Sequence, residues 1–357
     1  MKLGIIGLPG SGKSTVFKAL TGGMESPVRK GHREPGLGVV HVDDERLDYL
    51  ADCHKPQKVT PVQVEFHDIA GITGEGKPGR EIGDTVLGHI RTMDALVHCI
   101  RYFDSPVLGE PVPLQDFESV EDEMMLSDLS IVEKRIERLE KDIQRGRKEL
   151  TDELELLKQA GTCLNEGRPL RTSPSVANAE KLKGFAFLTA KPELFLINAG
   201  DDKSREDISA IQDKILQRLG HQPDVAIDSL YADAEAEIAR LDPEDAQEFL
   251  EELQLEEGAK SRIIKKSFEL LQLIVFLTAG DKEVRAWPLK KGENAITAAG
   301  TIHTDIQKGF IRAEVVSFDD FKETGSTAEA QKSGKYRLEG KEYPVQDGDI
   351  IYFRFNV

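Results

Sequence analysis

Three observations place this 357-residue chain in the α/β class, with a helical insertion and a β-rich C-terminal region. A short apolar strand pattern, Lys2-Leu3-Gly4-Ile5-Ile6, runs into a glycine-rich turn and then a helix pattern. Further strand patterns alternate with helical ones, as in a mostly parallel sheet flanked by helices. From Leu273 onward, strand patterns bounded by Gly and Asp replace that alternation.

The glycine-rich turn is Gly7-Leu8-Pro9-Gly10-Ser11-Gly12-Lys13-Ser14-Thr15. It has the spacing of a phosphate-binding loop, glycine, four residues, then Gly-Lys-Ser, in the strand-to-helix context that the pattern needs. Gly7 and Gly12 let the backbone from Pro9 through Gly10 and Ser11 to Ser14 and Thr15 curl its N–H groups inward. A helix starting near Lys13 adds its positive end. Lys13 can reach the β- and γ-phosphates of a nucleotide, and the Ser14 hydroxyl can take one position on Mg²⁺.

Bulk properties bound the remaining possibilities. Lys and Arg number 47 against 64 Asp and Glu, a formal charge of -17, which excludes indiscriminate coating of nucleic acid. No sequence-specific DNA binding is expected. No apolar run reaches membrane-spanning length, and the N-terminus enters a strand within two residues, so a soluble cytoplasmic protein without a signal peptide is expected. Cys53, Cys99 and Cys163 have no paired spacing and read as reduced thiols.

Along the chain, Gly22 to Gly38 reads as a loop, Val39 to Val42 as a strand, and Arg46, Leu47 and Leu50 as a helical turn. Val62 to Asp68 alternates apolar and polar residues and ends in Asp68-Ile69-Ala70-Gly71. A carboxylate at a strand end, three residues before glycine, supplies the second half of a nucleotide-hydrolysing site. Asp68 can hold Mg²⁺ through water and the Gly71 N–H can sense the γ-phosphate. The following segment carries Gly74, Gly76, Gly79 and Gly83 and is a candidate switch. A helix over Leu87–Met93 and a buried strand over Ala95–Ile100 come next, with His98 expected as a core histidine.

From Met124 the apolar spacing becomes three-and-four through Leu126, Leu129, Val132, Ile136, Leu139 and Ile143, resuming after Gly146 at Leu150, Leu154, Leu157 and Leu164. This predicts an antiparallel helical hairpin or short coiled coil whose charges form a solvated face or a partner surface. The sheet pattern resumes at Glu193–Asn198, followed by Ala199-Gly200-Asp201. A guanine-reading loop would have Asn-Lys-x-Asp here. Ala199 stands in place of the lysine, so base preference is open between ATP and GTP. Val225–Asp228 reads as the last strand of this domain, with Tyr231 and Ala232 in the next loop near the base. The C-terminal part, with strands at Leu273–Leu277, Val284–Trp287 and Ile350–Phe355 and one helical segment, reads as a small ubiquitin-like α+β module.

Taken in order, these parts resemble the YchF/Obg-like ATPase family among P-loop GTPase-fold proteins. The resemblance runs almost end to end and is densest in Thr278-Ala279-Gly280-Asp281-Lys282-Glu283-Val284-Arg285-Ala286-Trp287, Gly300-Thr301-Ile302-His303-Thr304-Asp305 and Gln346-Asp347-Gly348-Asp349-Ile350. It implies a G-domain-like P-loop NTPase domain over 1–119 and 188–272, an inserted coiled-coil domain over 120–187, and a β-grasp TGS domain over 273–357. It further implies ATP as the preferred nucleotide, Mg²⁺ as cofactor and the ribosome as partner. Such proteins carry a hydrophobic residue where Ras-like proteins place a water-orienting glutamine, and Ile72 occupies that position. A butyl side chain cannot orient water, so slow turnover is expected.

Departures from the family pattern keep alternatives in play. Gly10-Ser11 replaces Asn-Val in the phosphate loop, His32-Arg33 rather than a threonine precedes Glu34-Pro35, and Asp104 to Glu110 lacks the histidine thought to aid hydrolysis. Asp201 stands where glutamate is commoner, which favours guanine slightly. The expected function is slow ATP hydrolysis in a ribosome-associated regulator, with Lys13, Gly71 and Ile72 at the chemistry. The alternatives are a GTPase of the same build and a nucleotide-gated binding protein with negligible turnover. A small-molecule kinase also suits the phosphate loop, but not the Asp68 motif or the C-terminal module.

Overall fold

Strand and helix alternate through the first 270 residues of the computed structural model, which describes residues 1–24, 35–69, 84–220, 222 and 224–356. The elements in that stretch are β1 (Lys2–Ile6), α1 (Lys13–Leu20), β2 (Gly36–His41), α2 (Glu45–His54), β3 (Lys58–Thr60), β4 (Gln63–Asp68), α3 (Asp84–Arg91) and β5 (Ala95–Tyr102). They continue with α4 (Pro113–Gln144), α5 (Thr151–Asn165), α6 (Pro174–Ala177), β6 (Glu193–Ala199), α7 (Arg205–Leu219), β7 (Val225–Leu230), α8 (Ala232–Ile238), α9 (Pro243–Glu252) and α10 (Ala259–Leu270). The C-terminal part holds β8 (Leu273–Thr278), β9 (Glu283–Lys290), α11 (Ala295–Ile302), α12 (Thr304–Lys308), β10 (Phe310–Ser317), α13 (Phe318–Thr324), α14 (Thr327–Lys332), β11 (Arg337–Glu339) and β12 (Asp349–Phe355).

The chain divides into two compact units, Met1–Val39 with Glu65–Leu270, and Val40–Val64 with Leu271–Val357. This division differs from the sequence-based domains, because Val40–Val64 goes with the C-terminal residues and the insertion stays with the sheet.

The first unit is built on a sheet of order β2-β4-β1-β5-β6-β7, with β4, β1, β5, β6 and β7 running parallel. All seven residues of β6 are buried, as are the first seven of β5, the near-continuous apolar run of a strand covered on both faces. The insertion begins earlier than the periodicity suggested. Pro113 occupies the first turn of α4, where its missing N–H costs nothing, and the helix runs 32 residues. Its first half packs on the sheet, Phe117 against Phe195 and Ile197, and Val120 and Met124 against Ile6 and Ile90. Its second half packs Val132 and Leu139 against Leu157, Ala160 and Leu164 of α5, which makes the expected hairpin. Buried Asp128 accepts the Leu188 and Thr189 backbone N–H groups and the Thr189 hydroxyl, which fixes the chain where it returns to the sheet.

In the second unit the sheet order is β11-β10-β12-β8-β9-β3. Four short helices stand where one helical segment was expected, and strand β10 was not anticipated. The unforeseen edge strand β3 comes from the N-terminal third of the chain and pairs parallel with β9, Lys58 opposite Glu283 and Thr60 opposite Arg285. The Thr60 hydroxyl donates to Glu283, and Arg46 at the start of α2 bridges Asp44 and Asp347. Tyr49 and His54 of α2 meet the rings of Phe318 and Phe321.

Candidate nucleotide-binding site

The loops that follow β1, β5, β6 and β7 come together with Asp68, the last residue of β4, at the carboxyl edge of the parallel sheet, where open α/β folds place their ligands. The turn after β1 has positive φ at Gly7 (145°), Gly10 (80°) and Gly12 (91°). At Gly12 a β-carbon would lie 2.1 Å from the Asn198 side-chain nitrogen, and at Gly7 it would lie 2.5 Å from the Cys99 carbonyl oxygen. Both positions therefore demand glycine.

Helix α1 starts on Gly12 with Lys13 as its first residue. The Lys13 ammonium donates to the carbonyls of Leu8 (2.8 Å) and Gly7 (3.1 Å). Burial lowers its pKa, opposed by Cys99 and Asp68. The Ser14 hydroxyl donates to Asp68 Oδ2 at 2.8 Å, so the two expected Mg²⁺ ligands, 54 residues apart, are brought together. Asp68 ends β4 and is 2% exposed.

Asn198, the penultimate residue of β6, does two things. Its Nδ2 donates to the Ser11 carbonyl (3.1 Å), and its Oδ1 accepts the Ala232 N–H (3.3 Å). One side chain thus ties the phosphate loop to the start of α8. The Cys99 thiol reaches the same Ser11 carbonyl from below, and burial pushes that thiol up to about 11. Ala199 is buried and pairs with Tyr102 of β5. Tyr231 donates its hydroxyl to the Lys203 carbonyl (3.2 Å). A cleft of about 890 Å³ opens beside Asp201 and Tyr231, lined further by Arg205, Ile238, Leu241 and Phe249. Pro9 and Thr15 take their places on the loop and in the first turn of α1. Gly71 and Ile72, with His32 to Glu34 and the glycine-rich switch segment, lie outside the described residues.

His98 is a core residue, 1% exposed, with Nδ1 3.0 Å from Glu193 Oε1, and burial pulls it down to about 4. With Glu121 it forms the one cluster of potential metal ligands among the described residues. Arg171, fully buried, ion-pairs with both Glu121 and Glu193, so a guanidinium already supplies the cation. Cys53, Cys99 and Cys163 are free thiols, and no described helix is long and apolar enough to cross a membrane. Sequence reasoning missed the Arg101 side chain, which holds the loop after β5. Its only signal was one charged residue at the end of an otherwise apolar strand.

Comparison with known proteins fits this geometry. Residues 2–143 match the family profile of the 50S ribosome-binding GTPases, and residues 273–356 match a C-terminal profile of YchF GTPases described as a protein of unknown function (DUF933). The chain is 40% identical over 366 residues to the ribosome-binding ATPase YchF of Bacillus subtilis, an alignment spanning 99% of each. The chain belongs to the YchF family. Identity to the ribosome-binding ATPase YchF of Escherichia coli O157:H7 is 39% over 363 residues, spanning 100% of this chain and 99% of that protein. The solved structure of the Schizosaccharomyces pombe YchF GTPase superimposes with a TM-score of 0.84 at 30% identity, covering 99% of this chain and 97% of that one. The P-loop domain, the inserted helices and the C-terminal module are the parts of a YchF protein, in the order that the motifs anticipated.

Proposed function

We propose that this protein binds ATP with Mg²⁺ at the carboxyl edge of the sheet, hydrolyses it slowly, and acts as a regulator on the ribosome. The observation that carries the reading is the meeting of Ser14 and Asp68, 2.8 Å apart, beside the buried ammonium of Lys13. A hydroxyl and a carboxylate are the hard oxygen donors that a Mg²⁺ ion takes alongside water and phosphate. The ion would neutralise charge on the triphosphate. Lys13 then holds the β- and γ-phosphates, the loop from Pro9 to Thr15 wraps them with its amides, and Gly71 senses the γ-phosphate. Ile72, apolar, leaves the attacking water without an orienting partner, so turnover is slow.

Base choice rests on Asn198, Ala199, Asp201, Tyr231 and Ala232. Without a lysine stem at Ala199 the guanine-reading set is incomplete, and relatives are named ATPases. The ribosome as partner rests on the same relatives, which are named ribosome-binding. A GTPase of the same build is the second reading, favoured by the retained Asn198 and Asp201.

The test is nucleotide binding and phosphate release by the wild type and by Lys13→Ala and Ser14→Ala, with and without Mg²⁺. Losing a charged hydrogen-bond partner worth about 3 kcal/mol weakens ATP by roughly 100-fold in Lys13→Ala. Ser14→Ala is expected to remove the Mg²⁺ dependence. Unchanged affinity in Lys13→Ala would sink the assignment. Ile72→Gln is expected to raise turnover without altering affinity. If wild-type binding is tight but release undetectable, the gated-binding reading replaces the enzymatic one.

A further inference from the structure

The loop from Phe103 to Glu110 leaves β5 and spans the space between the two ends of the candidate site. At its root, Phe103 lies against both motifs. A β-carbon on Gly12 would sit 3.5 Å from the Phe103 ring, and one on Gly200 would sit 3.1 Å from Phe103 Cβ. Toward its tip, a β-carbon on Gly10 would sit 2.5 Å from Leu108 Cδ1. The loop therefore runs from the base-reading turn to the phosphate loop, along the stretch where the sugar of a bound nucleotide has to lie.

Its conformation is fixed from beneath. Arg101, 5% exposed, donates Nη1 to the carbonyls of Phe103 (3.1 Å) and Gly109 (2.9 Å), and Nη2 to the carbonyl of Glu110 (3.0 Å). Ser105 and Gly109 exchange backbone hydrogen bonds at 3.1 and 2.8 Å, and the Ser105 hydroxyl accepts the N–H groups of Val107 and Leu108. The Arg101 Nε also faces Asp116 Oδ2 at 3.9 Å, and the guanidinium held between that carboxylate and three backbone carbonyls keeps the loop in one shape. Leu108 is 49% exposed although it packs on Gly10, and Val107 beside it is 89% exposed. Leu108 thus holds an open apolar surface at the mouth of the phosphate loop.

We propose that Leu108 is a nucleotide-contacting residue, an apolar wall for the sugar, and that Arg101 is the positioning residue that sets it there. This rests on the nucleotide-site reading above, and it assigns a role to a loop whose sequence offers no acid, base or ligand at that position. The contact excludes water from one side of the sugar and adds affinity for any ligand that has a sugar. It adds none for a bare phosphate chain.

The experiment measures dissociation constants of ATP and of inorganic tripolyphosphate, each with Mg²⁺, for the full chain and for Leu108→Ala, Val107→Ala and Arg101→Met. Removing most of a leucine side chain from a covered surface is expected to weaken ATP about tenfold in Leu108→Ala and leave tripolyphosphate unchanged. Val107→Ala matches the wild type. Arg101→Met, which keeps the volume and removes the clamp, weakens ATP with the same insensitivity to tripolyphosphate, and adding Leu108→Ala to it costs less than it does in the wild type. The proposal is overturned if Leu108→Ala binds ATP as tightly as the wild type or more tightly, or if it loses tripolyphosphate equally. A wild type that binds neither probe removes the nucleotide-site reading itself, whereas a wild type that binds both with an indifferent Leu108→Ala removes only this inference.

Discussion

Asn198 shows how one residue carries more structure than its motif reveals. The sequence proposes it for base recognition from its place near a strand end. Its grip on the Ser11 carbonyl and the Ala232 N–H was not legible there, because those contacts span 187 and 34 residues of chain. The buried cluster under the sheet repeats the lesson. His98 read correctly as a core histidine from its apolar neighbours, but nothing near it in sequence announced Glu121, Arg171 and Glu193. Burial, resisted by Arg171, pushes the Glu121 carboxyl up to about 8, from 4.5 in the unfolded chain. Between these values the folded state holds a proton that the unfolded chain releases, so stability falls as pH rises. His98 has the opposite sign. Lowered to about 4 from 6.5, it makes stability rise with pH up to 6.5 and adds no slope above it. From about pH 6.5 to 8 the Glu121 contribution therefore stands clear of that of His98. Glu121→Gln, which keeps the hydrogen bond without the ionisation, is expected to melt less steeply with pH than the wild type over that window. Equal slopes in urea or thermal melts would contradict this account of the cluster.

At the scale of elements, periodicity carried far. The turn at Gly146 separates α4 from α5 as expected, and the strands that bear the site were found within a few residues. The start of α4 was missed for a physical reason. The apolar residues Phe117, Val120 and Met124 keep helical spacing but face the sheet, whereas Val132 and Leu139 face α5. A domain boundary at 119/120 therefore falls inside one continuous helix. The two halves should respond differently to truncation. Leu139→Ala, at a fully buried position of the hairpin core, is expected to cost about 2–5 kcal/mol in denaturant unfolding while ATP affinity stays within twofold. Phe117→Ala should cost a similar amount and weaken ATP as well, because Phe117 packs on β6, the strand that carries Asn198 next to its end. If both variants leave nucleotide affinity alone, the helix does not divide its work in this way.

Across the whole molecule, the surprise is the membership of Val40–Val64. The sequence reads as strand, helix and strand, and the two flanking strands do join the first sheet as β2 and β4, yet contacts gather the segment between them with the C-terminal module. Local patterns could not show it, since Thr60 finds Glu283 across 223 residues of chain. Alternation in Val62–Asp68 marks a strand without naming its neighbours. Arg46→Ala removes the bridge between Asp44 and Asp347. An ion pair this exposed at one end contributes about 1 kcal/mol, so the expected result is a small loss of stability with faster amide exchange in α2 and around Val275, whose N–H the Asp347 carboxylate accepts. Unaltered exchange there would mean that β3 and the ring contacts alone hold the segment.

A nucleotide site formed by these loops should take its base preference from the missing lysine at Ala199. Titration of the full chain with fluorescent ATP and GTP in Mg²⁺, followed by competition with the unlabelled nucleotides, measures that preference. ATP is expected to bind more tightly than GTP, and Lys13→Ala to lose both. Tighter GTP binding would contradict the base assignment and return Asn198 and Asp201 to a guanine-reading role, and binding of neither nucleotide would contradict the site.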